Sequence, residues 1–351
     1  MAALRLLAGK TAFEQIEQNG IQQSMFTQLF AASGGPKWIG VAGLDKYLFS
    51  EFFSDRQAPL YTMGASSGAW RLSCLAQKNP LEAYHRFEDY YIDQRYETVP
   101  SRQEVTEQVE RIIAGILGAN GAMDIVNNRI IQSHFVVCKA KHLNAGRSKG
   151  KLAMGLAATA VSNAASRRSL AWHFERLVFS HQQVKSPFSQ LSDLPTEHAQ
   201  LTRSNINQVL LATGSIPLLL SPVTQINGVS DGHYYDGGIT DYHFDMPLPA
   251  AEGLSLYPHF YPYMSPGWFD KSLKWRRAKK HYHNALILAP TPEFIASLPY
   301  QKIPDREDFK KLDSDSRIAY WRESVKRSEQ LAIEFAGIIE NQSVMSHLER
   351  L

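Results

Sequence analysis

Short apolar runs alternate along the chain with longer segments whose apolar positions recur every three or four residues. Residues 28–32, apolar after Gln28, end in Ser33-Gly34-Gly35-Pro36, and residues 37–53 then carry Trp38, Val41, Leu44, Leu48 and Phe52 at helical spacing. That pattern predicts a strand, a glycine turn and a helix, with Pro36 at the first helical position, where a missing N–H is harmless. The same order recurs at 60–63, a short apolar run followed by Gly64-Ala65-Ser66-Ser67-Gly68 and a helical segment over 69–77.

Further along, Ser101 and Glu104 form a capping box ahead of Val105, Val109, Ile112, Ile113 and Ile116, and Gly118 ends that helix. Residues 135–138 read as a buried strand, 150–165 and 205–213 as helices, and 285–289 as a late strand. Tyr234 and Tyr235 lead into Asp236-Gly237-Gly238. A long amphipathic helix is predicted over 316–339 from Ile318, Trp321, Val325 and Ile333. Alternating strands and helices imply an α/β fold, a three-layer sandwich with a central, mostly parallel sheet. The proline-bearing segment 290–304 is the clearest candidate linker, but a strand precedes it and nothing marks an independent core beyond. One domain over 1–351 is therefore expected, without repeats.

Composition narrows the function classes. With 44% hydrophobic and 20% charged residues, the chain is neither disordered nor fibrous. Lys plus Arg exceed Asp plus Glu by 37 − 34 = 3, too near balance to demand a nucleic-acid partner, so any basic surface is local. Two cysteines, Cys74 and Cys138, build no disulfide framework and fit a reducing compartment. Residues 1–9 lack an export pattern. The longest apolar stretch, 209–223, is broken by Thr213, Gly214, Ser215 and two prolines and falls short of the roughly 20 residues a bilayer needs. A cytoplasmic protein, with at most peripheral contact with a membrane, is the expectation.

Three glycine turns carry the candidate chemistry. In Gly64-Ala65-Ser66-Ser67-Gly68, a G-x-S-x-G between a strand and a helix, the flanking glycines allow a sharp turn that projects Ser66 from the sheet edge as a nucleophile. The Ser67 N–H at the helix start can donate to a developing oxyanion, and the N–H groups of Gly34 and Gly35 can do the same. A serine hydroxyl needs a base, and Asp236 is the choice. Nucleotide binding is not expected, because Leu4 stands where a P-loop ending at Gly9-Lys10-Thr11 needs its first glycine and no G-x-G-x-x-G occurs.

Gly34-Gly35, then G-x-S-x-G around Ser66, then Ala212-Thr213-Gly214-Ser215-Ile216-Pro217 and Asp236-Gly237-Gly238, in that order, resemble the patatin-like phospholipases. The resemblance implies a patatin-like α/β fold and a serine acyl hydrolase that cleaves lipid esters, with no cofactor. Carried over, Ser66 and Asp236 form the catalytic dyad, Gly64 and Gly68 flank the nucleophile elbow, and Gly34, Gly35 and Ser67 supply the oxyanion hole. The chain departs from the family at Ser33, where a glycine is usual, at Lys37, where an arginine is usual, and in residues 239–247 after the dyad aspartate. A patatin-like module without activity, binding lipid or a protein partner, is the alternative.

Other constellations compete. Ser66, then Asp231 or Asp236, then His243 or His259 follow the order of a hydrolase triad, with His233 also near Asp236 in the chain. His281 and His283 lie two apart, yet no carboxylate cluster accompanies them, so no metal site is expected. Leu218, Leu219, Leu220 and Val223 are candidates to line an acyl pocket. Lys274-Trp275-Arg276-Arg277-Ala278-Lys279-Lys280, after Trp268 and Phe269, reads either as a solvated helix face or as a docking strip for anionic lipid headgroups. Lys139, Lys141, Arg147, Lys149 and Lys151 read the same way with less aromatic support.

Overall fold

The computed structural model describes residues 2–146, 148–180, 186–247 and 253–351; Arg147 lies outside the described residues. Among the described residues ten strands form one sheet: β1 Leu4–Ala8, β2 Phe26–Ala31, β3 Leu60–Gly64, β4 Ile131–Ala140, β5 Phe174–Ser180, β6 Thr196–Gln200, β7 Tyr234–Asp236, β8 Leu254–Pro258, β9 Ala285–Pro290 and β10 Leu348–Arg350. Their order is β10-β1-β9-β8-β2-β3-β4-β5-β6, with β7 added against β4. From β9 through β8, β2 and β3 to β4 every pairing is parallel, whereas β1–β9, β4–β5 and β4–β7 are antiparallel. Strands such as β9, Ala-Leu-Ile-Leu-Ala-Pro, are buried at every position. A strand covered on both faces has no reason to alternate, which is why these runs are continuously apolar. Helices flank the sheet, and the fold is a three-layer α/β sandwich.

The helix Ser67–Leu75 runs directly out of β3 and is buried along all its residues. Arg102–Leu117 starts at the predicted capping box, both halves of which form, and ends at Gly118 with φ +51. Lys149–Ala165 and Ile206–Gly214 form where the sequence predicts helices.

Four expectations change. Residues 37–53 are not one helix but a 3-10 segment Gly35–Val41, a short α-helix Ala42–Tyr47 and a π-turn Leu48–Phe52. The cause is close packing against the C-terminal helix Ser314–Glu340: the Gly43 N–H donates to Ser328 Oγ at 2.7 Å, and a Cβ on Gly43 would stand 2.5 Å from the Glu329 backbone. The candidate linker contains the helix Pro292–Ser297, capped by Thr291, and Phe294, Leu298 and Ile303 are buried in the same core as Leu6, Phe26 and Trp38. In Ser314–Glu340 the buried stripe passes through Trp321, Val325, Ser328, Leu331 and Phe335, leaving Ile333 exposed, about 80° off the stripe through Val325.

The basic run 274–280 is not a helix face either, holding only a 3-10 turn, Lys274–Arg276. Arg276 donates to the carbonyls of Asn163 (3.0 Å) and Ala164 (2.8 Å), and Arg277 lies over the Tyr263 ring at 4.5 Å. Two of its five cations are thus spent on structure. Both cysteines are free and buried. Among the described residues no helix is long and apolar enough to cross a membrane.

Candidate active site

The register of β4 brings two distant segments together. β3 pairs with the first half of β4, ending with Gly64 opposite Phe135, and β7 pairs antiparallel with the second half, with Asp236 opposite Val137. The ends of β3 and β7 therefore face each other along one edge of a strand long enough to hold both. The residue that follows β3 by two, Ser66, meets the last residue of β7: Ser66 Oγ donates to Asp236 Oδ2 at 2.8 Å.

Ser66 occupies a backbone conformation, φ +56 and ψ −133, that side chains other than glycine rarely adopt. Its surroundings enforce that turn. A Cβ on Gly68 would stand 1.9 Å from the Ala31 carbonyl oxygen, and one on Gly64 would stand 2.7 Å from the Ala69 backbone, so β3 and the elbow helix close together only through glycine. The Ser66 N–H donates to Thr213 Oγ1 at 2.9 Å, and that hydroxyl donates on to the Val136 carbonyl at 2.6 Å. Behind the elbow, Arg71 makes a bidentate pair with Asp45, both bonds 2.6 Å, and Tyr84 donates to the same carboxylate at 2.7 Å. This wholly buried pair anchors the helix that carries Ser67.

Asp236 is fixed as firmly. Its N–H donates to the Ser215 carbonyl at 2.9 Å, and its Oδ1 accepts from the Gly238 N–H at 2.7 Å. Burial pushes the carboxyl above its ordinary range; the nearby Arg306 cation, the Gly238 N–H and the Ser66 hydroxyl act in the opposite direction. A carboxylate raised in this way is a better base than a solvated one.

The N–H groups of Gly34, Gly35 and Ser67 have no acceptor among the described residues. Gly35, at φ +57, and Ser67 both lie on the wall of the cavity that Ser66 lines. Gly34 is set back from it, beneath Phe260, whose ring a Cβ would meet at 2.6 Å. Ser33 has a structural task in place of the usual glycine: its hydroxyl donates to the Ala65 carbonyl at 3.1 Å, tying this loop to the elbow.

Among the described residues, one space adjoins the pair and a second adjoins Ser66. One, about 10 Å³, is bounded by Ser66, Asp236, Gly238, Tyr242 and Arg306 and has room for about one water. The other, about 750 Å³, starts at Gly35, Ser66 and Ser67 and runs between apolar walls that include Trp70, Val109, Ile112 and Phe309. Leu219 and Leu220 line it; Leu218 and Val223 do not, the first half-turned to solvent and the second bridged to Tyr234.

No histidine reaches Ser66 or Asp236 among the described residues. His243 and His259 are buried and pack edge to face at 4.3 Å; His243 Nδ1 accepts from the Ser265 N–H, while His259 Nδ1 accepts from the Tyr261 N–H at 2.9 Å. Burial holds both below the ordinary imidazole range, His259 at about 3. Asp231 is exposed and His233 lies on the approach to β7, away from the pair. His281 pairs with Asp245 at 2.9 Å, and no cluster of three metal-ligating side chains occurs among the described residues.

The residues missed by sequence reasoning are Arg306, Arg71 and Asp45. Thr213 had a signal, its place in Ala-Thr-Gly-Ser-Ile-Pro. The others had none, since each acts across long stretches of chain. No protein-family model matches the chain, and no curated protein sequence does. Among solved structures, VipD from Legionella pneumophila is similar to it at 14% identity and a TM-score of 0.31, over 67% of this chain and 50% of that one, so the chain spans about half the length of VipD.

Proposed function

We propose that this protein is a patatin-like serine acyl hydrolase that cleaves carboxylic esters of lipids, of the phospholipase A or lysophospholipase type. The observation that carries the proposal is the 2.8 Å hydrogen bond to Asp236 Oδ2 from the Oγ of Ser66, which lines a cavity of about 750 Å³ with largely apolar walls. Asp236 takes the hydroxyl proton as Ser66 Oγ attacks the ester carbonyl, and the charge that develops on the carbonyl oxygen is met by the Ser67 and Gly35 N–H groups. The alcohol leaves with the proton from Asp236. A water then attacks the acyl-serine, giving its proton to the same carboxylate, and the acid is released as Ser66 is reprotonated. The water-sized space beside Ser66 and Asp236 suits that second step. The apolar cavity suits the acyl chain, whose transfer out of water favours binding.

A fluorophosphonate probe tests the reading against a module that binds without turning over. The expected result is labelling of the wild type and none of Ser66→Ala. An unlabelled, folded wild type would contradict the proposal and favour the binding module.

A further inference from the structure

Arg306 bounds both the water-sized space and the large cavity, together with Ser66. It closes over the early glycine loop: a Cβ on Gly35 would stand 2.7 Å from Arg306 Nε, so the guanidinium lies directly on that glycine. Although half-buried, Arg306 makes no hydrogen bond or ion pair with any described residue. Of the acidic side chains around it, Asp236 acts on it through space without bonding to it, and the others are engaged elsewhere. Asp305 and Asp308 hold Lys302 at 3.1 and 2.5 Å, Asp308 also accepts from Trp321 Nε1, and Glu307 pairs with Lys310. Lys37, whose Cβ packs against Gly34 of the same loop, likewise makes no ion pair with any described residue; burial lowers its pKa, opposed by Asp305 and assisted by Arg306. Partly desolvated cations that make no direct ion pair are costly, and an anion bonded to them relieves that cost.

We propose that Arg306 anchors an anionic group carried by the ester substrate, a phosphate or a carboxylate a few bonds from the scissile carbonyl, and so selects anionic over neutral esters. This rests on the hydrolase reading above. The guanidinium supplies two parallel donors to such a group, next to the point where the acyl chain enters its cavity. The test compares kcat/KM for three esters of one fatty acid in wild type, Arg306→Gln and Arg306→Lys: lysophosphatidic acid, a monoacylglycerol hemisuccinate and the neutral monoacylglycerol. The expected result is that the anionic-to-neutral ratio falls by about tenfold to a hundredfold in Arg306→Gln and partly recovers in Arg306→Lys. A fall confined to the phosphate or to the carboxylate ester identifies the group. Hydrolysis with an unchanged ratio for both would overturn the anchor while leaving the hydrolase intact; a wild type inactive on all three would sink both.

A separate face carries a second inference. Along the helix Lys149–Ala165 the exposed positions Met154, Ala158, Val161 and Ala165 make one apolar stripe, and Val161 is 75% exposed. The Arg276 bonds to the Asn163 and Ala164 carbonyls bring Trp275, 74% exposed, to the end of that stripe. The contact of His173 with Ser162, 3.0 Å, brings Trp172, 70% exposed. Lys149 and Lys151 on the same helix, Arg168 just beyond its end, and Lys274, Lys279 and Lys280 on the segment that carries Trp275 are all exposed. The same helix packs on the turn Trp268–Asp270, and Trp268 borders the space beside Ser66. We infer that this face docks on a bilayer carrying anionic lipid: the cations match its charge, and two indoles and an aliphatic stripe match its interfacial zone. Co-sedimentation with vesicles of phosphatidylcholine alone, or mixed equally with phosphatidylglycerol, tests it. Binding should require phosphatidylglycerol, weaken with salt and fall at least about tenfold in Trp172→Ala/Trp275→Ala. Equal binding to both vesicles, no binding to either, or a dimer that the double variant dissociates would overturn it.

Discussion

The Thr213 hydroxyl accepts from the Ser66 N–H at 2.9 Å and donates to the Val136 carbonyl at 2.6 Å, so one side chain holds the elbow to the strand beneath it. Thr213→Val keeps the shape and leaves a buried donor and a buried acceptor unpaired. The expected cost is about 1–3 kcal/mol in chemical denaturation. Ester hydrolysis should fall with it, seen in kcat more than KM, because the turn that aims Ser66 is loosened.

Ser66 itself is held in a strained conformation, φ +56, which costs of order 1–3 kcal/mol. Ser66→Gly should therefore be more stable than the wild type, by about 1 kcal/mol, while losing hydrolysis by on the order of 10⁴-fold or more. Stability and activity moving in opposite directions is the signature of a strained nucleophile.

Burial raises the Asp236 carboxyl above its ordinary range, so the acid limb of kcat/KM should lie above the usual carboxylate value near about 4. The sign for stability follows by linkage. With its folded pKa raised, Asp236 favours the fold below its unfolded pKa, and that contribution is lost as pH rises through the folded value. Asp236→Asn should hence be inactive yet more stable at neutral pH, by about 1 kcal/mol, with the advantage shrinking as pH falls through the raised pKa. Thermal denaturation across pH measures this.

Arg71→Met should destabilise by about 3–5 kcal/mol, since it strands the buried Asp45 carboxylate. Adding Asp45→Asn, which keeps an acceptor for the Tyr84 hydroxyl, should recover most of that loss. Denaturation of the single and double variants completes the cycle.

What could be read in the sequence was local. The strand, turn and helix around Ser66 follow from a short apolar run, two glycines and a helical period, and Ser101 with Glu104 marks a cap because both partners lie within one turn. Features that depend on distant packing could not be read. The break-up of 37–53 comes from Ser328 and Glu329 on the last long helix, and Arg276 looks like a surface cation until its acceptors at 163 and 164 are known. Arg306 carries no pattern of its own and gains meaning only by closing over Gly35. The approach of Asp236 to Ser66 is intermediate: the residue types suggested it, while the register along β4 that brings them together is a property of the sheet.

Intact-protein mass spectrometry during turnover of a p-nitrophenyl fatty ester tests the covalent route most directly. One acyl group should accumulate per chain, with peptide mapping assigning it to Ser66, and neither adduct nor turnover should remain in folded Ser66→Gly. Turnover that survives in Ser66→Gly, or an acyl group mapped to another side chain, would contradict the account.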